Sequence, residues 1–395
     1  MLGFNELVGV RLEKADYVSR ILTNTFRQCG YSQISMPIVE LESSFSEEVI
    51  GKSPWPEWNK KGCFYFDIED YSNSYNDLPI VHHVLLVPEG TISITRWLGE
   101  SLNRQEINLP IKVFYYLKCF RNELTSTLSK TKGREFTQFG MEIMGSDNIM
   151  VEAETIKLIV YSLEQLGINA EMVTIRFNDI SIFNQLITES GLEERRIAIK
   201  ELLDTLAEIK PGKKSKRLAI TLQELKMELQ DISESSMRKW RAIINQDDYQ
   251  VDEAKAVFGK EYSSKFEKLM EIQSAFKTLG INVDLDLCVI RSHEYYTSMS
   301  FEVDVCGTHE KFVEIAGGGR YDRLVSSFIS SSKAPAVVPC VGFAFGVERV
   351  IELLDQESLY LSKTIVSSKF DFTNGNEVQD KELIGFLDSI RERLS

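Results

Sequence analysis

An α+β fold carrying an inserted helical unit is predicted by three features of the chain. Strand patterns lie on both sides of a long helix-rich block, Ser181 to Lys277, which is charged and holds few strand signals. Before that block, Val151, Ile156, Ile159, Val160, Leu163 and Leu166 recur three and four apart, and Gly167 ends the run, the signature of an amphipathic helix over 150–166. After the block, strand character returns from Val283 to Val313. The expected division is an α/β body of residues 1–180 and 280–355, a helical insertion over 181–279, and a short C-terminal extension over 356–395, too small to form a domain by itself.

The elements follow in order. Residues 5–29 place Leu7, Leu12, Ala15, Val18, Ile21, Leu22 and Phe26 at helical spacing, and Gly30 can stop that helix. Ile34 to Val39 reads as a strand at an edge, bulge or interface, since Pro37 suits no central strand. "CFYFDIED", "HHVLLVPEGTISITRWL" and "IKVFYYLKCFRNE" read as strand-and-turn units, and "QFGMEIMG" as a short strand closed by Gly145. Residues 168–178 resume a strand pattern, and Phe301, Val303 and Val305 alternate as in a half-buried strand. One basic turn, "KPGKKSKR" at 210–217, interrupts the helical block and reads as a solvated inter-helix turn.

Composition narrows the class. At 395 residues, 43% hydrophobic and 26% charged, the chain reads as an ordinary globular protein. A net charge of −14 argues against a sequence-independent nucleic-acid binder. No run reaches the length of a membrane span, and the N-terminus lacks the order of a signal peptide. The six cysteines are scattered with no C-x-x-C pair, which suggests reduced, mostly buried thiols in a cytoplasmic protein. The four histidines offer no metal-ligand spacing, so no protein-held metal site is expected.

Four glycine-punctuated segments could carry chemistry: "VPEGTISITR" (87–96), "CFRNELTSTLSKTKGREFTQFGMEIMG" (119–145), "IRSHEYYTS" (290–298) with "AGGGRYDRL" (316–324), and "GFAFGVERVIEL" (342–353). Together they supply Arg121, Arg134, Arg291 and Arg349, and a guanidinium is the preferred clamp for phosphate. Glu89 and Glu142 are acceptors in or beside strands, and Gly317, Gly318 and Gly319 would let a flat ligand or a phosphate lie against the backbone. That set suits a nucleotide and an amine-bearing small molecule. No Walker loop is present. Taken singly, each piece has a plainer reading: Glu142 within "MEIM" as an exposed strand residue, the glycine triplet as a tight turn, a lone arginine as a rim residue.

In combination the segments resemble the class II aminoacyl-tRNA synthetases. "FRNE" with "GREFTQFGMEIMG" is similar to motif 2 of that class, "GFAFGVERVIEL" to motif 3, and "GYSQISMPIVE" with Pro37 to motif 1, the dimer-forming strand. "VPEGT", "R-x-x-x-YY" and "AGGGRYDRLV" resemble the histidyl-tRNA synthetase subgroup, in the family's own order along residues 5–175 and 280–355. The resemblance implies an antiparallel sheet flanked by helices, and a homodimer. It further implies ATP with Mg²⁺ as cofactors, with Arg121, Arg291 and Arg349 as the catalytic cations. Arg121, Glu123, Arg134, Glu348 and Arg349 would hold ATP. Glu89, Thr91 and Gln138 would take the α-amino group, Glu142 and Tyr295 would read the imidazole, and Tyr296, Gly317 and Gly318, with Gly319, would wall the pocket.

The chain departs from the family pattern in identifiable places. Ser292, His293 and Glu294 replace the three residues the family writes between the arginine and the tyrosines, and Val87 replaces the arginine before "PEGT". The motif 2 loop, Leu124 to Lys132, lacks the family's usual start, the N-terminal R-G-x-x-D segment is not found, and no anticodon-binding domain is expected after Leu354. Three functions are therefore compatible with the sequence. One is an adenylate-forming enzyme that activates histidine or a related amino acid for tRNA or another carrier. The second is the regulatory subunit of ATP phosphoribosyltransferase, binding histidine as a feedback signal beside the catalytic subunit. The third is a pseudo-enzyme or scaffold.

Overall fold

In the computed structural model, residues 3–51, 62–72, 79–125, 128–129, 131–209, 216–244, 251–291, 293–306 and 312–356 are described. Ser292, most of the basic turn at 210–217 and the tail beyond Gln356 lie outside them.

Helix α1 (Val10–Gln28) buries Ala15, Val18, Ile21, Leu22 and Phe26 along one stripe. It starts five residues later than the apolar spacing suggests. The ring of Phe26 lies 5.1–6.2 Å, centroid to centroid, from Phe114, Phe139 and Phe343 on three neighbouring strands, so this stripe is what clamps the helix to the sheet. The predicted strand Ile34–Val39 forms no strand before Val39: residues 34–38 link two short strands, β1 (Ser32–Gln33) and β2 (Val39–Leu41), in different sheets. Pro37 lies between them, where its missing N–H breaks no ladder.

After a short helix α2 (Glu47–Ile50), strands β3 (Tyr65–Asp70) and β4 (Ile80–Leu86) join β2 in a three-stranded antiparallel sheet of order β2-β4-β3. "GTISITRWL" then proves to be helix α3 (Gly90–Asn103), not a strand unit. Its β-branched residues favour strand locally, but the Glu89 carboxylate accepts from the Ile92 N–H and caps a helix whose Ile92, Ile94 and Leu98 are buried.

Strands β5 (Ile111–Phe120) and β6 (Glu135–Met144) form a hairpin-like pair with ten registered residues each. Helix α4 (Met150–Gln165) follows as predicted and packs on α1. Strand β7 (Val173–Asp179) leads into the helical block: α5 (Ile180–Ser190), α6 (Arg196–Ile209), α7 (Lys216–Glu228), α8 (Glu234–Ile244), α9 (Val251–Phe258) and α10 (Ser263–Thr278). The chain then returns through β8 (Val283–Leu285), β9 (Met299–Cys306), β10 (Phe312–Arg320), β11 (Cys340–Gly346) and helix α11 (Val347–Gln356).

The main sheet has eight strands in the order β1-β5-β6-β11-β10-β9-β7-β8. The six inner strands are antiparallel, and β1 and β8 add parallel strands at its two edges. Strand β9 is buried on both faces rather than half-buried. Phe301, Val303 and Val305 point into the apolar core. On the other face Glu302 and Asp304 lie beneath α6, neutralised by Arg176, which also donates to the Ala207 carbonyl of that helix at 3.0 Å. The alternation is present, but a helix covers the polar face. Among the described residues no helix is long and apolar enough to cross a membrane. The cysteines are free, five of them buried and Cys306 partly so.

Candidate functional site

A cavity of about 210 Å³ opens on the face of the sheet formed by β6, β11, β10 and β9. At one end, α3 and β6 meet. The Gln138 amide oxygen accepts from the Gly90 N–H at 2.9 Å, and the Thr91 hydroxyl donates to Glu142 at 2.9 Å, which fixes the first turn of α3 over the strand. Glu142 is fully buried, not the exposed strand residue that its local sequence suggests. Tyr321 donates a short hydrogen bond to its other oxygen. A Cβ at Gly342, its cross-strand neighbour, would lie 1.5 Å from the Glu142 carboxylate, so only glycine leaves room for that acid.

Tyr295 donates to Glu89 at 3.1 Å rather than to Glu142. Its ring stacks obliquely on Tyr296, 4.8 Å between centroids, and meets Tyr321 edge-on at 5.9 Å. Burial pushes Glu142 up to about 8, against the hydrogen bonds of Tyr321 and Thr91. Burial likewise pushes Glu89 up to about 7, against the charge of Arg121. Two buried carboxyls poised near neutrality, ringed by phenols, are a receptor for a cationic or N–H-rich ligand.

The other end is cationic. Arg121 donates from Nε to the Pro88 carbonyl at 3.1 Å and lies over the Phe136 ring at 5.0 Å. Arg291 has φ +50°, a left-handed conformation uncommon for a non-glycine residue, and its Nη1 donates to Glu302 at 3.3 Å and Glu314 at 3.2 Å. Its Nε is buried with no hydrogen-bond partner among the described residues. Arg349, one turn into α11, donates to the Glu314 backbone carbonyl at 2.8 Å and its carboxylate at 3.0 Å. Gly317 to Gly319 form no turn: they lie within β10, and a Cβ at Gly317 would fall 2.2 Å from Arg291 Nη1.

Of the residues singled out from sequence, Glu89, Thr91, Arg121, Glu123, Gln138, Arg291, Tyr295, Tyr296, Gly317, Glu348 and Arg349 all line this one cavity. Four stand behind it, among them Gly319, set against the Met299 carbonyl and the Tyr296 ring. Glu142 supports the wall. Gly318 packs on the Gly342 carbonyl and the Phe343 side chain. Arg134 donates to the Glu123 carbonyl at 3.1 Å and the Thr125 hydroxyl at 3.4 Å, bracing the loop after β5. Glu348 accepts from the Thr137 N–H at 2.9 Å and ties α11 to β6.

Sequence reasoning missed Tyr321, Glu302, Glu314 and Asp204. Tyr321 stands inside the quoted "GGGRYDRL" and could have been found there. Asp204 comes from α6, far along the chain, with no motif to mark it. Glu294 acquires a clear role. It accepts from Lys200 at 2.7 Å and Arg196 at 2.9 Å, so the segment bearing Arg291, Tyr295 and Tyr296 is pinned to α6. His293 lines the cavity, packed 5.2 Å from the Tyr295 ring, and burial drives its imidazole well below its ordinary range.

The family description "Histidyl-tRNA synthetase" matches residues 3–350, nearly the whole described body. The chain belongs to the histidyl-tRNA synthetase family. Relatives in that family include a histidine–tRNA ligase of Saccharolobus solfataricus, 27% identical over 352 residues, covering 88% of this chain and 74% of the relative. Another, from Streptococcus dysgalactiae subsp. equisimilis, is 28% identical over 366 residues, covering 91% and 74%. Solved structures share the class II synthetase fold. One described as an ATP phosphoribosyltransferase regulatory subunit/histidyl-tRNA synthetase from Bacillus halodurans C superposes with a TM-score of 0.68 at 19% identity, covering 90% of this chain and 82% of that one. The histidyl-tRNA synthetase of Nostoc sp. PCC 7120 gives 0.65 at 19% identity, covering 91% and 75%. At those identities the likeness establishes the fold, and ligases and a regulatory subunit share it.

Proposed function

We propose that the protein binds histidine or a related amino acid together with ATP and joins them as an aminoacyl-adenylate, for transfer to tRNA or another acceptor. The observation that carries this reading is the polarity of this cavity. A carboxyl–phenol–amide receptor (Glu89, Tyr295, Tyr321 and Gln138, with Glu142 behind them) lies at one end and Arg121, Arg291 and Arg349 lie at the other. An amino acid seated with its ammonium at Glu89 and Gln138 would turn its carboxylate toward the arginines. A carboxylate oxygen then attacks the α-phosphorus, the bond to the β-phosphate breaks, and pyrophosphate leaves with the electron pair. The chain's part is to orient the two substrates and offset the charge on the phosphate oxygens. No side-chain nucleophile is needed.

Mg²⁺ fits such a site only as a companion of the nucleotide. Among the described residues no group of three or more acidic, His or Cys side chains is disposed to hold a metal. A nucleotide-borne Mg²⁺ needs only one or two carboxylates beside phosphate oxygens and water, and Glu302, lining the cavity, could supply one. The ion would add positive charge at the phosphates.

In this reading residues 1–180 and 280–355 are the ligand-binding body, and the 181–279 unit is an insertion whose α6 closes one cavity wall. A homodimer is consistent with the three-stranded sheet. Leu41, Phe66, Ile68 and Ile80 share one of its faces by register and are each at least 40% exposed, an apolar patch suited to a second copy.

A second reading is favoured by one observation. Arg291 and Arg349 already share Glu314, as a site that holds histidine without turning ATP over could allow. The protein would then be the histidine-sensing regulatory subunit of an ATP phosphoribosyltransferase. ATP–pyrophosphate exchange separates the two. Exchange with one amino acid, histidine first, and its loss in Arg291→Ala are expected. No exchange with any amino acid, together with co-purification of a short-form phosphoribosyltransferase catalytic subunit, would establish the second reading instead.

A further inference from the structure

Glu314 sits where the arginine end of the cavity would receive a ligand's negative charge. One of its oxygens accepts from Arg291 at 3.2 Å and the other from Arg349 at 3.0 Å, and the acid itself lines the cavity, 29% exposed. A carboxylate spanning two guanidiniums has the charge and the oxygen arrangement of one edge of a phosphate.

The backbone is shaped to put it there. Glu314 and Gly317 both face Arg291, yet residues three apart on a regular strand point to opposite faces. The conflict is resolved by a register shift in β10: Glu314 pairs with Asp304, Ala316 with the adjacent Val303, and Ile315 is the extra residue between them. This bulge turns Glu314 onto the ligand face, a re-aiming that bulges commonly perform beside functional sites. Glu302, opposite Gly317 on β9, already meets Arg291 from the same face and is shared with Arg176. Glu314 is thus not the sole carboxyl in contact with Arg291. Although burial alone would raise it, Arg349 and Arg291 hold its carboxyl well below the usual range, so it is an anion at neutral pH.

We propose that Glu314 is a built-in occupant of the polyanion end of the cavity, a specificity-determining residue that a polyphosphate must displace from Arg349 and Arg291 in order to bind. The proposal rests on the adenylate reading only in taking the arginine end as the phosphate end. It sets the selectivity of that end. A ligand that offers two or more phosphates outcompetes one carboxylate, whereas a lone phosphate group such as inorganic phosphate is excluded.

The test is calorimetric titration of inorganic pyrophosphate, without divalent cations, into the full chain, Glu314→Gln, Glu314→Asp and the double variant Glu314→Gln/Arg349→Ala. Glu314→Gln should bind pyrophosphate at least about tenfold more tightly than the parent. Glu314→Asp, one methylene shorter and able to reach one arginine at a time, should gain an intermediate amount. The double variant should lose the gain. Unchanged or weaker binding in both single variants, or a gain that survives removal of Arg349, overturns the proposal. ATP–pyrophosphate exchange on the same proteins separates this idea from the adenylate reading. Tighter pyrophosphate binding without exchange keeps Glu314 as the occupant and removes the chemistry, and exchange without tighter binding does the reverse.

Discussion

Replacing Glu142 by Gln should change how the stability of this protein depends on pH. The Glu142 carboxyl is fully buried between Tyr321 and Thr91, and burial lifts it from an ordinary value of 4.5 to about 8. In the unfolded chain it releases its proton near the ordinary value, whereas the folded protein keeps that proton until about 8. Across that window the folded state binds more protons than the unfolded one, so the folded state loses stability as pH rises, and the loss stops above the folded value. Each pH unit in the window withdraws ~1.4 kcal/mol. Moving from about pH 5.5 to about pH 7.5 therefore costs the parent protein roughly 2–3 kcal/mol at this one group. Gln cannot titrate and keeps an amide oxygen for Tyr321. Glu89, also raised, is present in both proteins and cancels. Urea titrations of parent and variant at the two pH values give the double difference, expected at ~2–3 kcal/mol in favour of the Gln variant at the higher pH. Equal pH dependence in the two proteins would mean that Glu142 is ionised in the fold and would refute the argument.

Two further predictions concern the wall built by Arg291, His293, Tyr295 and Tyr296. Gly317→Ala places a methyl 2.2 Å from Arg291 Nη1, so the guanidinium must move; nucleotide affinity should fall at least about tenfold while thermal stability changes little, and unaltered affinity would show that Arg291 does not serve the nucleotide. Glu294→Ala leaves Lys200, which has no exposed surface, without its carboxylate partner. It should cost ~3–5 kcal/mol in urea unfolding, with Glu294→Gln/Lys200→Met recovering much of it, and a strictly additive double variant would deny the coupling.

How much of this was legible in the sequence differs by element. The 150–166 helix and the helical block were visible because their apolar spacing repeats over many residues, and periodicity is a local property. The turn of chain at Glu89 was not, because Thr91, Ile92 and Ile94 favour strand by themselves. What selects helix is a cap supplied by Glu89 and burial of α3 against distant elements. The strand predicted at 34–39 is instead the link between β1 and β2 in two sheets, for the same kind of reason: pairing partners, not propensity, decide where a short apolar run lies.

The candidate site shows the same division. Sequence alone determined the family and marked many of the residues that line the cavity, because short motifs keep their residue types and spacing along the chain. Only the tertiary structure decided their charge states and partners. Glu142 reads as an exposed strand residue until a fully buried position and Tyr321 are placed around it. Arg291 and Arg349 read as free phosphate clamps until a bulge in β10 turns Glu314 between them. Glu294 reads as an oddity until α6 brings Lys200 and Arg196 to it from about a hundred residues earlier. Burial and ion pairing act through space, between groups that the chain order separates, so no reading of residue order could have fixed them.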